Sequence, residues 1–241
     1  EATSETVTLS VIPYPNVDLN VPLFNEICEG DQFTISVPAG ADNYEWFENG
    51  NSTGIFTNSI TVNQTGIYHV VAKNVDCEAI SQNVDIQVLS YPDVTIASPL
   101  FLQVCDGESE TISVPAGAEE YEWYLDNVPL NINANTITIT SPGNYHVIAA
   151  NGDCEATSET VTLSVIPYPN VDLNVPLFNE ICEGDQFTIS VPAGADTYEW
   201  FENGNSTGIF TNSITVNQTG IYHVVAKNVD CEAISQNVDI Q

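Results

Sequence analysis

The chain has 241 residues, 43% of them hydrophobic, and carries 33 acidic side chains against two lysines, for a net charge of −31. Such a surface repels phosphate backbones and anionic lipid headgroups, which excludes nucleic acid and direct membrane-surface binding. The apolar residues are periodic and evenly spread, so a folded protein is expected despite the charge, and no apolar run reaches membrane-spanning length.

The sequence repeats every 77 residues without insertion: Cys28, Cys105 and Cys182 align, as do Trp46, Trp123 and Trp200, and Cys77, Cys154 and Cys231. Residues 155–241 copy residues 1–87 with one change, Asn43 becoming Thr197. The units therefore alternate as A, B, A over residues 14–90, 91–167 and 168–241. Residues 1–13 are identical to residues 155–167, so they read as the last strand and linker of a preceding repeat, with the array expected to continue beyond them. A repeat of this kind points to a mechanical or display role.

Along unit A, short alternating runs broken by Gly, Pro and Asn predict strands at Asn16 to Val21, Gln32 to Val37, Asn43 to Glu48, Ser59 to Asn63, Ile67 to Lys73 and Ala79 to Leu89. Turns are expected at Glu29-Gly30-Asp31, Pro38-Ala39-Gly40, Asn49-Gly50 and Gln64-Thr65-Gly66. Positions that stay apolar between A and B should face inward: Ile35/Ile112, Val37/Val114, Trp46/Trp123, Ile60/Ile137, Val62/Ile139, Tyr68/Tyr145, Val70/Val147 and Val84/Val161. They alternate with polar positions, as two packed antiparallel sheets require. A Trp followed by a hairpin, and a Tyr one residue past a Gly-Ile step, fit an immunoglobulin-like sandwich. The expected fold is all-β, three tandem immunoglobulin-like β-sandwich domains in an elongated array. Val37 and Val70 then occupy the places where antibody domains carry their inter-sheet disulfide.

The string I-C-E-G-D-Q-F-T-I-S-V-P-A-G-A-D-N-Y-E-W, followed by T-G-I-Y-H-V-V-A-K-N-V-D-C-E-A-I-S, resembles the Ig-like or PKD-like repeats of Bacteroidota cell-surface adhesins. Those proteins are typically exported by the type IX secretion system, some in association with gliding motility. The resemblance covers essentially the whole chain. It implies a non-catalytic, extracellular, repetitive segment of an adhesin or surface filament.

Two cysteines per repeat at fixed phase read as a disulfide framework in an oxidising compartment. If Val37 and Val70 face each other across the sandwich, Cys28 and Cys77 lie at opposite poles, roughly tens of ångströms apart at the rise of a strand. That is too far for a bridge, which needs Cα atoms within about 7 Å. In a tandem array the bottom of one domain meets the top of the next, which predicts Cys28–Cys154 and Cys105–Cys231, with Cys77 and Cys182 pairing to repeats outside this sequence. The within-unit scheme, Cys28–Cys77, Cys105–Cys154 and Cys182–Cys231, stands as the alternative.

Every predicted inter-domain bridge gathers carboxylates: Glu29, Asp31, Asp153 and Glu155 around one, Asp106, Glu108, Asp230 and Glu232 around the other. Oxygen-rich clusters of this type suit calcium, although no EF-hand spacing is present, and solvated acidic turns explain them as well. No other cofactor is expected. His69, His146 and His223 follow the strand Tyr and should point outward, with no second group placed for a catalytic relay. Lys73 and Lys227 have Ala150 as their counterpart in unit B, which argues against an isopeptide device. The functional expectation is a stalk or filament of an extracellular bacterial surface adhesin, without enzyme activity. Its partners would be neighbouring repeats and, beyond them, surface glycans or cell-surface proteins. The alternatives are a carbohydrate- or protein-binding module, using Phe47, Tyr124 or Phe201 as an aromatic platform, and a spacer in a secreted hydrolase.

Overall fold

The computed structural model describes residues 5–241, which hold 24 strands and no helix. The chain divides into two compact units, the first made of Glu1–Val94, Pro115–Tyr121 and Ile148–Thr157, the second of Thr95–Val114, Glu122–Val147 and Ser158–Gln241.

In the first repeat the strands are β1 (Phe24–Cys28), β2 (Phe33–Ser36), β3 (Asn43–Glu48), β4 (Asn51–Ser52), β5 (Ser59–Val62), β6 (Gly66–Asn74), β7 (Cys77–Ile80) and β8 (Val84–Leu89). One sheet runs β1-β8-β6-β3-β4 with β7 on the end of β6; the other is β2-β5. The pairing of β1 with β8 is parallel, whereas β8, β6 and β3 are antiparallel. Ile35, Val37, Trp46, Ile60, Val62, Tyr68, Val70 and Val84 fill the space between the sheets, all buried. This is an immunoglobulin-like sandwich, with aliphatic Val37 and Val70 in the core beside the Trp.

The same pattern recurs. The second repeat contributes β9 (Phe101–Cys105), β10 (Glu110–Ser113), β11 (Glu120–Leu125), β12 (Val128–Pro129), β13 (Thr136–Ile139), β14 (Gly143–Asn151), β15 (Cys154–Thr157) and β16 (Val161–Ile166). The third contributes β17 (Phe178–Asn179), β18 (Phe187–Ser190), β19 (Thr197–Glu202), β20 (Asn205–Ser206), β21 (Ser213–Val216), β22 (Gly220–Asn228), β23 (Cys231–Ile234) and β24 (Val238–Ile240). Each again forms one large and one two-stranded sheet.

The indole and phenol groups of the core are satisfied locally. The indole N–H of Trp46 donates to Thr57 O at 2.9 Å, and that of Trp123 to Ala134 O at 2.8 Å. The hydroxyl of Tyr68 donates to Gln64 O, four residues upstream, at 3.1 Å, the arrangement of a tyrosine corner. Its counterparts Tyr145 and Tyr222 reach Ser141 O and Gln218 O.

Two strand expectations need correction. Asn16 to Val21 is not a strand: Val17, Leu19 and Val21 pack against the core, but only Asn20 bonds across, its N–H to Ser36 O and its side-chain oxygen to Ser36 N. Pro15 and Pro22 bracket this stretch and remove ladder donors. The strand that does form is β1, eight residues later, and it carries Cys28. The run from Ala79 to Leu89 is broken in two, because Ser81 Oγ accepts from Val70 N at 3.0 Å and interrupts the ladder between β7 and β8.

Candidate functional site

The feature that recurs with chemistry attached is the junction at which a first cysteine meets the second cysteine of the next repeat. In the first unit, β1 and β8 run in parallel register from Phe24↔Asp85 to Cys28↔Leu89. Gly30, at φ 95°, then turns the chain, and Asp31 N–H donates to Cys28 O. Cys28 is bonded to Cys154 of the following repeat, with Cα atoms 5.5 Å apart and 126 residues between them in sequence. In the second unit Cys105, aligned with Ile166 on β16, is bonded to Cys231 at the same Cα distance and sequence separation. Cys77 and Cys182 are free thiols; Cys77 is half-buried, its thiol 3.7 Å from Ile12 O, and Cys182 is exposed.

The second cysteine of each repeat opens a strand just after a two-residue hairpin. Asn74 aligns with Cys77, Asn151 with Cys154 and Asn228 with Cys231. The first residue of each hairpin has a left-handed backbone: Val75 at φ 51°, Gly152 at 54° and Val229 at 53°. A β-branched residue in that region is strained, and glycine is at ease. A carboxylate caps the turn, Asp42, Glu119 and Asp196 accepting from Val75 N, Gly152 N and Val229 N.

The Asn that precedes the turn is a clamp between two segments. Asn151 Nδ2 donates to Ser90 O at 2.8 Å, in the linker after β8, while its Oδ1 accepts from Glu119 N. Asn228 does the same to Pro167 O and from Asp196 N, and Asn74 to Pro13 O and from Asp42 N. The junctions at Cys154 and Cys231 therefore combine a disulfide with a neutral hydrogen bond, worth about 1 kcal/mol, that fixes where the linker crosses. Sequence reasoning missed this clamp. The signal was Asn at one phase in all three repeats.

The carboxylates proposed around the bridges, Glu29, Asp31, Asp153 and Glu155 with Asp106, Glu108, Asp230 and Glu232, are all exposed. Glu108 Oε2 accepts from Cys105 N at 3.4 Å. Among the described residues no group of three or more His, Cys, Asp or Glu side chains is arranged to hold a metal ion. Lys73 and Lys227 pair with Glu78 and Glu232 at 2.8 Å, and the hydrogen bond each ammonium donates to that carboxylate raises the lysine pKa.

On the outer face of the large sheet, one ring pair recurs per repeat. Phe47 stacks on His69, Tyr124 on His146 and Phe201 on His223, with centroids 4.9 to 5.1 Å apart and planes within 5°. All six rings are half-buried. The tyrosines of the corner are perturbed: burial first, then the Glu48 carboxylate, pushes Tyr68 up to about 12, and burial followed by the hydrogen bond to Glu202 does the same for Tyr222. Tyr145 is raised mainly by burial.

No family model matches the chain, and no curated protein does. Among solved structures, the alignment with Sidekick-1 immunoglobulin domains 1–4 is 16% identical and covers 92% of this chain and 72% of that one, at a TM-score of 0.30. The N-terminal four Ig domains of Dscam1 isoform 6.9 are 13% identical over 94% of this chain and 72% of theirs, at a TM-score of 0.36. Those of isoform 8.4 are 12% identical over 90% and 71%, at 0.34. At TM-scores this low the likeness carries nothing further, and the immunoglobulin-like fold rests on strand order, the buried Trp and the tyrosine corner.

Proposed function

We propose that this chain is a structural segment, stalk or filament, of an extracellular bacterial surface adhesin of the Bacteroidota type IX-secreted kind, with repeats at 14–90, 91–167 and 168–241 following the linker of residues 1–13. The observation that carries this reading is the pattern of the bridges. Each joins a first cysteine to the second cysteine of the next repeat across 126 residues, so the covalent constraint falls on the joints. Cys77 and Cys182 are then bonded to further repeats in the same way. Constraint at every joint serves a part that transmits load, and it adds nothing to a pocket. The acidic turns act as solvated surface, and the segment catalyses no reaction.

Pulling the chain through its ends tests this. With both bridges intact the extension on unfolding is short, because residues between Cys28 and Cys231 are held in closed loops; reductant lengthens it several-fold. Equal extension in both conditions defeats the reading. The ring pairs favour a second reading, a carbohydrate-binding module: glycan-array signal from this fragment that disappears in Phe47→Ala and Phe201→Ala would replace the stalk. Titration calorimetry showing calcium binding would restore the metal-locked version of the junction.

A further inference from the structure

We propose that the junctions are sterically keyed, so that the outlet of an A repeat, Leu89 with Glu26, fits glycine and not valine at the inlet of the repeat that follows. The outlet of a repeat is the end of its last strand together with the first-strand residue two positions before the bridged cysteine: Leu89 with Glu26 in the first repeat, Ile166 with Gln103 in the second. The inlet is the left-handed hairpin residue two positions before the second cysteine: Val75, Gly152 or Val229.

At the first junction the inlet is Gly152 and the outlet is Leu89 with Glu26. A Cβ placed on Gly152 would lie 2.8 Å from Leu89 Cδ1 and 3.2 Å from Glu26 Oε2. Leu89 is the cross-strand partner of the bridged Cys28, so its δ-methyl would have to shift beside the disulfide to admit even a methyl group, and further to admit valine. At the second junction the inlet is Val229, and Ile166 and Gln103 line one cleft with it and with the bridged Cys105 and Cys231. Val229 is 50% exposed, less than the 65% of Val75, so the junction covers part of the isopropyl group.

Backbone strain does not explain the choice. The φ angle is the same within a few degrees at all three positions, and glycine would suit each of them. Valine is kept where the preceding outlet is Ile with Gln, and glycine stands where it is Leu with Glu. The inference goes beyond the stalk reading and does not depend on it, since it concerns only which repeat types fit together.

A double-mutant cycle on the full chain tests it. The readout is retention of the Cys28–Cys154 bridge in glutathione redox buffer, by peptide mapping, with Cys105–Cys231 as internal reference. Gly152→Val should weaken the first bridge relative to the second by about tenfold, as overpacking does. Converting the outlet as well, with Leu89→Ile and Glu26→Gln, should recover most of that loss, while the outlet change alone stays within about twofold. If Gly152→Val does not fold, Gly152→Ala, which adds only the clashing Cβ, is run through the same cycle. A bridge ratio unchanged by either inlet variant, or a loss that the converted outlet does not recover, overturns the proposal, the second result assigning the whole effect to φ strain.

Discussion

The segment V-T-L-S-V-I occurs twice, at residues 7–12 and 161–166, and only the second copy is a strand. As β16 it lies between β14 and β9, with Val161 and Leu163 buried. In the first copy Val7 is 94% exposed and Leu9 87%, with no ladder partner. The first strand of the A unit shows the same contrast. In repeat one β1 pairs over five residues with β8 and ends at a bridged cysteine; in repeat three the identical sequence pairs over two residues with β24 and leaves Cys182 exposed. In repeat one Ile27 and Cys28 pair with Val88 and Leu89, whereas in repeat three the pairing covers only Phe178 and Asn179. Propensity alone therefore makes no strand here. A sheet edge and a core to cover do.

Removing a bridge should show the largest effect. Cys154→Ser opens a loop of 126 residues and costs about 4–5 kcal/mol in the chain-entropy model, read from denaturant midpoints. Cys182→Ser, at the repeat-three counterpart of the bridged Cys28 but a free thiol in this chain, leaves the midpoint unchanged; equal losses would contradict the contrast. Next comes the duplicated segment itself. Leu163→Ala should destabilise by about 2–5 kcal/mol, whereas Leu9→Ala should stay within about 0.5 kcal/mol.

A pH titration gives a control that does not depend on neighbours. Tyr68 and Tyr222 have folded pKa values of about 12 against an ordinary value of 10.0, so the folded state holds a proton that the unfolded state releases. Their contribution is complete below pH 10 and falls as pH rises from about 10 to about 12, on the order of 2 kcal/mol for each tyrosine. Both A units should behave alike. Tyr145, which has Leu125 where Tyr68 has Glu48, should lose less, and phenolate absorbance at high pH resolves it. The smallest effect is expected at the clamp: Asn151→Ala removes the bond to Ser90 O and costs about 1 kcal/mol, visible as faster amide exchange in residues 90–94.

The sequence alone determined a good deal. A period held without insertion, and a comparison of A with B, identified the buried positions, since Trp46, Val37 and Val70 must stay apolar wherever two sheets share one core. The turns at Gly30 and Asn49-Gly50 were legible because few residues tolerate φ above zero, and those were Gly or Asn. Three features were decided only by tertiary structure. The parallel strand β1 exists because β8 offers an edge, although prolines nearby make its sequence look irregular. The Asn clamp joins atoms 61 residues apart, a separation with no local signature. Glycine against valine at the inlet reads as a trivial substitution until Leu89 is found 2.8 Å from where a Cβ would stand. Local rules fix what a residue can adopt, and packing against a neighbour decides which option is taken.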